Sequence, residues 1–340
     1  MAGKGDEPDI MASPEFILRL YRMSPALPTF LVDALAHWGP RWHQDITAGR
    51  DAMFEAWAPL LAASALAPTA RDLPYGEDPR QVLDVYAPQV ECSGGGPGVP
   101  ILVFVHGGAF VRGDKEQTPW IYANVPAEFS RHGYLAFNVE YRLAPQSPWP
   151  GGAEDVREAL RWVVRHAARW GGDPSRLFLM GHSAACAHCA SALWDARVRP
   201  DGGLPVAGLV LVSPRVVADT RADNPNAHGV RAYYGEDEAL YAGREPLGQA
   251  RADAPPTFIA LAQYENPLLD FYALALAQRL AVVADRDKGP MPRVVQLMDH
   301  NHVSIVAQFN TPFNALGGPI RDWFARVLAG QYAGAPALSA

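Results

Sequence analysis

Several residue types and patterns are scarce in this sequence, and each absence excludes a class of protein. Only three of the 340 residues are cysteines, too few for a disulfide framework, so we expect a cytoplasmic protein in a reducing compartment. Charged residues make up 19% and the formal net charge is −7, without a long basic run, so nothing indicates a nucleic-acid partner. The N-terminus lacks the basic-then-apolar order of a secretory signal. No uncharged apolar stretch reaches the length of about 18 residues that a membrane span needs, and we expect none.

Hydrophobic residues, in contrast, reach 49%, and there are 30 glycines and 31 prolines, which favours a compact enzyme with many loops. Apolar residues recur at spacings of three and four between residues 14 and 66, which predicts helices in an N-terminal segment, 1–68. From about residue 70, strand-like runs alternate with helical patterns. This alternation predicts an α/β fold over residues 69–332, with a mostly parallel central sheet flanked by helices. Residues 333–340 are expected to be a frayed tail.

The stretch 217–252 lies between two predicted strands and is far longer than an ordinary connection. It contains Tyr233, Tyr234, Leu240 and Tyr241. Two interpretations remain open for it, a functional insertion that adds a second lid element and a disordered loop.

The strongest chemical signal is the segment RLFLMGHSAA, in which a strand runs into Gly181-His182-Ser183-Ala184-Ala185 and a helical pattern follows at once. This is the context of a nucleophile elbow, a sharp turn that exposes a serine at the carboxyl end of a strand. The helix N-terminus also favours developing negative charge. The motif usually ends in glycine, and alanine adds only a methyl group. Ser183 is therefore the candidate nucleophile.

A second motif, His106-Gly107-Gly108-Ala109-Phe110, follows the apolar strand ILVFV. A glycine pair after a central strand lets backbone N–H groups point at a bound oxyanion, as in lipases and esterases. A plain glycine turn is the alternative interpretation. Two motifs, each in its required context and order, argue against coincidence.

The third signal is the segment Asp299-His300-Asn301-His302. It starts at the last residue of the final predicted strand, RVVQLMD, and the histidine of a catalytic triad is expected just after that strand. His302 is preferred as the general base, because an apparent helix starts directly after it, and His300 is the rival. The acid should lie between nucleophile and base in chain order. Glu265 follows the predicted strand PTFIALAQ and is favoured over Asp270, which lies further on in the next helix.

A C-x-x-C pair, formed by Cys186 and Cys189 with His188 between them, is the one pattern that suggests redox or zinc chemistry. It lies in the helix predicted behind Ser183, without a second C-x-x-C or a distant ligand pair. Cysteine is also a common small buried residue. We therefore expect no metal and no organic cofactor.

Together these motifs resemble the α/β-hydrolase superfamily, and more narrowly the hormone-sensitive-lipase-like carboxylesterases and the neighbouring arylformamidase-like group. The likeness covers about residues 75–330. HGGAF is similar to the HGGGF-type oxyanion motif, VRGDK to the arylformamidase-like branch, and GHSAA to GDSAG or GHSAG. NVEYRLAP with PWPGGAEDV resembles the YRLAP segment and its downstream acidic helix. The acid loop departs from the family, with Glu-Asn-Pro where Asp-Pro is usual.

The resemblance implies an α/β-hydrolase fold with Ser183 as nucleophile and His302 as base, and Glu265 is the acid that the residues favour. It implies that His106 supports the oxyanion loop and that residues 1–68 cap the active site, with aromatic side chains that are candidates to line an apolar pocket. The expected oxyanion donors are the backbone N–H groups of Gly107, Gly108 and Ala184.

The implied activity is hydrolysis of a carboxylic ester through a Ser-His-Glu triad and an acyl-enzyme. The expected substrate is a small apolar ester, a lactone or a bulky natural-product ester. An amidase or arylformamidase is the leading rival, since it shares the triad chemistry. A receptor-like relative that binds ligand without cleaving it is a further alternative, against which the presence of both Ser183 and His302 argues. Related folds often pair, so a homodimer is one expected oligomeric state.

Overall fold

The computed structural model describes residues 27–89, 98–251, 253–287 and 289–332. Two sequence predictions fall elsewhere: the first part of the N-terminal segment, residues 1–26, and the tail 333–340 lie outside the described residues.

A single eight-stranded sheet forms the centre of the described chain. Its strands are β1 (Ala70–Pro74), β2 (Val82–Tyr86), β3 (Val99–Val105), β4 (Leu135–Val139), β5 (Gly172–His182), β6 (Val206–Val212), β7 (Thr257–Tyr264) and β8 (Arg293–Asn301). The spatial order is β1-β2-β4-β3-β5-β6-β7-β8, with β2 antiparallel to both neighbours and the remaining pairs parallel. The predicted, mostly parallel sheet is confirmed, and β1 is an added edge strand that no apolar run indicates.

Helices cover both faces of this sheet. They are α1 (Thr29–Trp38), α2 (Ile46–Ala63), α3 (Asn124–Arg131), α4 (Gly151–His166), α5 (Ala185–Trp194), α6 (Ala227–Tyr234), α7 (Tyr241–Arg244), α8 (Leu269–Asp287), α9 (Ser304–Ala307) and α10 (Gly317–Leu328). Not one of the helices in the described ranges is both long and apolar enough to cross a membrane.

The central strands are continuous apolar runs because both of their faces are covered. In β3, Ile101 and Val103 join one buried cluster, whereas Leu102 and Phe104 join another on the opposite face, as the two-residue period of a strand requires. Helices α4, α5 and α8 contribute to the first cluster, and α1, α2, α3, α9 and α10 to the second. The result is a layer of helices on each side of the sheet.

The described part of the N-terminal segment forms α1 and α2, so its helical prediction is confirmed. The Asp45 carboxylate caps α2 by accepting from the Ala48 N–H at 3.0 Å. Trp57 is a residue of α2, and its side chain is fully buried. Trp42, in the turn between the helices, donates its indole N–H to Asn266 Oδ1 at 2.8 Å. This bond ties the N-terminal helices to the loop after β7.

The stretch 217–252 contains α6 and α7 and is tied to the rest of the fold by buried tyrosines. The Tyr233 ring stacks on Phe110, with 4.8 Å between ring centroids, and Tyr234 packs edge-on against the same ring. Leu240, by contrast, is exposed. The insertion therefore braces the loop that follows β3.

Candidate active site

Ser183 occupies a strained turn between β5 and α5. Its φ angle is +58°, in the left-handed region that a serine rarely adopts. The turn is held by the neighbouring strand, because the Ser183 N–H donates to the Val212 carbonyl at 2.9 Å and its carbonyl accepts from Arg215 N–H at 3.1 Å. A Cβ at Gly181 would lie 3.0 Å from the Cys189 sulfur, so glycine lets the helix pass close to the strand.

His302 follows β8 directly and reaches the Ser183 hydroxyl. The distance from His302 Nε2 to Ser183 Oγ is 3.0 Å, which is hydrogen-bond reach for a proton transfer. The other ring nitrogen, Nδ1, lies 2.7 Å from Glu265 Oε2. Because a carboxylate only accepts, Nδ1 carries the proton and Nε2 is left to accept from the serine.

Glu265 is buried and its second oxygen is also fixed. Oε1 accepts from the Ser213 hydroxyl at 2.6 Å and from the Ala262 N–H at 2.8 Å. The carboxylate therefore accepts three hydrogen bonds in one orientation, with Oε2 aimed at His302. Such an acid holds the imidazole in one tautomer and stabilises its positive form.

The two rivals from the sequence lie elsewhere. His300 Nδ1 contacts the Ser304 hydroxyl at 3.1 Å, and burial lowers the pKa of His300 to about 4. Asp270 is exposed in the first turn of α8, where its carboxylate accepts from the Phe271 N–H. Within the described residues, neither the His300 nor the Asp270 side chain forms a hydrogen bond with Ser183 or His302.

His182, next to the serine, fixes the backbone of the histidine loop. Its Nε2 lies 3.1 Å from the His302 carbonyl, which can only accept, so Nε2 carries the proton. Its Nδ1 then accepts from the Tyr122 hydroxyl at 3.0 Å. Burial, followed by the nearby His302 ring, holds the pKa of His182 well below its ordinary value. A neutral His182 thus links β5 to the loop after β8.

The loop after β3 passes beside Ser183 and presents backbone N–H groups. Within the described ranges the N–H groups of Gly108 and Ala109 in this loop meet no acceptor, and neither does that of Ala184, which follows Ser183; Ala109 was not among the donors expected from the sequence. The Gly107 N–H is instead directed at the Tyr122 hydroxyl, where it lowers the pKa of that group against the larger effect of burial. A Cβ on Gly108 would lie 1.6 Å from a backbone oxygen, so only glycine fits there.

His106 supports this loop from below. Its ring stacks on Tyr141 with centroids 4.5 Å apart, and its Nδ1 lies 2.8 Å from the Gly107 carbonyl. Its Nε2 lies 2.9 Å from Glu140 Oε1. Burial raises the pKa of Glu140, but the charge and hydrogen bond of His106 and the charge of Arg80 outweigh it and leave that pKa below its ordinary value.

A cavity of about 110 Å³ opens above Ser183. Helix α2 and the turn before it contribute Trp42, Ile46 and Phe54 to its wall, and the insertion contributes Asn226. The remaining described lining residues are Thr47, Arg50, Gly107, Gly108, Ala109, Arg112, Gln117, Ile121, Tyr122, His182, Asn266, His302, Val303 and Val306.

Three residues of the site were not predicted from the sequence: Ser213, Arg112 and Asn226. Ser213, which donates to Glu265, directly follows β6 beside β5, and a polar residue just beyond the carboxyl end of a parallel strand is a usable signal. Its φ of +49° repeats the strained geometry of the elbow. Arg112 and Asn226 carry no such signal, because they meet only through the fold.

The C-x-x-C pair lies inside α5 with both thiols buried and free. Burial raises the pKa of each thiol, which disfavours the thiolate that redox chemistry or zinc binding requires. His188 between them contacts the Tyr233 hydroxyl at 3.1 Å. Within the described ranges no three His, Cys, Asp or Glu side chains cluster as metal ligands.

The chain is similar in part to a family model and to several proteins named as esterases. Residues 83–194 match the family model described as BD-FAE. The chain is 31% identical over 187 residues to the esterase LipI of Mycobacterium tuberculosis, covering 50% of this chain and 57% of that protein. It is 36% identical over 122 residues to the carboxylesterase NlhH of the same species, covering 36% of each. The matches thus span between about a third and somewhat over half of these relatives.

Among solved structures, the chain is similar to a hyperthermophilic esterase from Pyrobaculum calidifontis. The TM-score is 0.65 at 20% identity, and the alignment covers 90% of this chain and 99% of that one. At this identity the likeness concerns the fold.

Proposed function

We propose that this chain is an α/β hydrolase of the carboxylesterase group, a serine hydrolase that cleaves carboxylic esters through an acyl-enzyme; its similarity to proteins named as esterases and the shared fold support this. The observation that carries the proposal is the continuous chain of hydrogen bonds from Ser183 Oγ through His302 to Glu265, at 3.0 and 2.7 Å. It is built on a serine whose backbone is held in a strained turn.

In the acylation step, His302 Nε2 takes the hydroxyl proton as Ser183 Oγ attacks the ester carbonyl carbon. The carbonyl oxygen gains the negative charge of the tetrahedral intermediate. When that intermediate collapses, the bond to the alcohol oxygen breaks, and His302 returns its proton to the leaving alcohol. Glu265 stabilises the imidazolium while it exists, without taking the proton itself.

The oxyanion is placed on backbone N–H groups beside the serine. Gly108 and Ala184 are the proposed donors that the sequence already indicated. For the third donor we favour Ala109 over Gly107, because the Gly107 N–H faces the Tyr122 hydroxyl. Each such donor is worth about 3 kcal/mol of barrier, or about a hundredfold in rate.

In the deacylation step, water enters the space left by the alcohol and His302 removes one of its protons. The hydroxide attacks the acyl carbon, and the bond from that carbon to Ser183 Oγ breaks as His302 returns its proton to Oγ. This releases the carboxylic acid and restores the serine hydroxyl. Helices α1 and α2 are the described part of the proposed cap, and Asn226 brings the insertion to the same pocket as a proposed second lid element.

The test is hydrolysis of p-nitrophenyl acetate, butyrate and octanoate by the wild type and by Ser183→Ala. Loss of the nucleophile is expected to lower kcat by about 10⁶-fold. Ser175→Ala is the matched control, since Ser175 is exposed near the start of the same strand and is expected to leave turnover unchanged. An acetanilide and an aryl formamide, assayed alongside, compare the ester with the amide class.

A wild type that is inert to all these esters, and that a fluorophosphonate probe does not label, would overturn the proposal. Ser183 would then not be an activated nucleophile, and a ligand-binding role for the pocket would replace the catalytic one.

A further inference from the structure

The described wall of the pocket above Ser183 has a charge opposite in sign to that of the chain. The formal net charge of the protein is −7. The described residues that line the pocket nevertheless include two arginines, Arg50 and Arg112, and no aspartate or glutamate. Acidic side chains outnumber basic ones in the sequence as a whole, 36 to 29. A pocket whose described lining contains arginines but no carboxylate therefore differs in charge from the rest of the chain.

Of the two arginines that line the pocket, Arg112 is the one that forms no ion pair within the described residues. It lies four residues after Gly108, in the loop that borders the oxyanion site, and its backbone N–H donates to the Gly108 carbonyl at 3.0 Å. Its guanidinium donates to Asn226 Oδ1 at 3.2 Å and forms no ion pair with a described carboxylate. Arg142, by comparison, is matched by the Asp155 carboxylate.

The electrostatics of Arg112 agree with this geometry. Burial lowers the pKa of Arg112, and the positive charge of Arg50 lowers it further. The pKa of Arg142, in contrast, is raised by its carboxylate partner. An anion beside Arg112 would therefore relieve an unfavourable charge, whereas one beside Arg142 would find its partner already present.

The size of the uncompensated charge indicates what kind of anion fits. Arg50 is already paired with Asp51, at 2.8 Å, on the exposed side of α2. One positive charge, that of Arg112, is left over. A singly charged carboxylate matches this balance better than a phosphate dianion does, and the planar guanidinium fork suits carboxylate geometry.

We propose that the ester cleaved at this site carries a carboxylate in its acyl or its alcohol part, and that Arg112, oriented by Asn226, binds that carboxylate. The inference rests on the proposed function and names the substrate class of the same site. The apolar wall formed by Ile46, Phe54 and Val306 covers the hydrocarbon part of the substrate. Arg112 thereby selects among esters that the triad alone would treat alike.

Two matched substrate pairs test the proposal. For the acyl part, p-nitrophenyl hydrogen adipate is compared with p-nitrophenyl 6-methylheptanoate, in which an isopropyl group replaces the carboxylate at similar size. For the alcohol part, 4-acetoxyphenylacetate is compared with the neutral 4-acetoxyphenylacetamide. In both compounds a methylene group separates the carboxylate or amide from the aromatic ring that bears the leaving oxygen. The readout is the ratio of kcat/KM for the charged over the neutral member, after subtraction of spontaneous hydrolysis.

The wild type is expected to prefer the charged member of at least one pair, and the pair that shows the preference identifies the part bearing the carboxylate. Arg112→Gln is expected to lower that ratio by about 10- to 100-fold, the value of a charge-assisted hydrogen bond. Arg169→Gln removes the same charge from an exposed position and is expected to leave the ratio unchanged. A wild type that prefers the neutral member of both pairs, or an unchanged ratio in Arg112→Gln, would overturn the proposal.

Binding without turnover separates this proposal from the catalytic one. Calorimetric titration of Ser183→Ala with monomethyl adipate, which carries a single carboxylate, measures the anion site in a protein without its nucleophile. Binding that is lost when Arg112→Gln is added supports the anion site even if no ester is cleaved. If the wild type cleaves neutral esters without preferring charged ones, and Ser183→Ala binds no monomethyl adipate, the esterase proposal stands and the carboxylate site is refuted.

Discussion

Replacement of the proposed triad acid by its amide, Glu265→Gln, is expected to abolish most activity, because the imidazole proton of His302 would sit on the wrong nitrogen. Glu265 Oε1 accepts from the Ser213 hydroxyl and the Ala262 N–H, at 2.6 and 2.8 Å. In a glutamine the amide oxygen must take this place, because an NH₂ group there would face the Ala262 N–H, donor against donor. The NH₂ group then faces His302 Nδ1, now 2.7 Å from the carboxylate.

An NH₂ group at that distance donates to Nδ1, so the imidazole proton moves to Nε2. Nε2 can then no longer accept the proton of Ser183, from which it is 3.0 Å away. A wrong tautomer of this kind lowers kcat by about 10⁴-fold in a serine triad. That factor corresponds to about 5.4 kcal/mol of barrier.

The assay is steady-state hydrolysis of p-nitrophenyl butyrate at saturating substrate, with circular dichroism melts to verify that each variant is folded. Asp270→Asn is the matched control, since it makes the same carboxylate-to-amide change at the exposed rival position five residues away. A folded Glu265→Gln enzyme that keeps more than about a tenth of the wild-type kcat would refute the tautomer argument. So would an equal loss in Asp270→Asn.

Two further predictions concern the oxyanion loop and acid stability. Gly108→Ala would place a methyl group 1.6 Å from a backbone oxygen, so the loop must move. We expect kcat to fall by about a hundredfold, as for a lost oxyanion donor, and fluorophosphonate labelling to slow in parallel. An unchanged kcat would contradict the placement of this loop. Burial lowers the pKa of His182, His188 and His300 in the folded state, to about 3 for His188 and about 4 for His300, from an ordinary value of 6.5. Below pH 6.5 the unfolded chain therefore binds more protons than the folded protein does. As the pH is lowered from about 6.5, the free energy of unfolding measured in urea titrations should fall by about 1.4 kcal/mol per pH unit for each histidine. A free energy of unfolding that stays level to about pH 5 would show that these rings are protonated in the folded state.

Much of the fold follows from local pattern. The apolar runs of β3 and β5 and the alternation of strands with helices are legible in the sequence, because a buried parallel sheet demands them along each strand. The edge strand β1 is not, since Arg71 and Asp72 interrupt any apolar run, most of the strand is exposed, and its order comes from pairing with β2. The pairing order of the sheet is likewise a property of the packed chain.

The site divides in the same way. Ser183 is identifiable because the elbow is a short, contiguous turn whose glycine and small neighbours are required locally. The choice between His300 and His302 is not, because the two lie only two residues apart at the end of β8 and differ in which side chain each ring contacts, Ser304 or Ser183. Glu265 and Asp270 differ similarly, with one pointing to the interior and the other to solvent.

The sequence by itself determined the class of fold and the candidate nucleophile, since both are indicated by patterns among residues close in the chain. Only the tertiary structure decided which groups stand beside that nucleophile. Ser183 and His302 are 119 residues apart, and Arg112 and Asn226 are 114 apart. The carboxyl ends of parallel strands and the loops beyond them meet at one edge of the sheet, and that convergence sets a distance that no local pattern encodes.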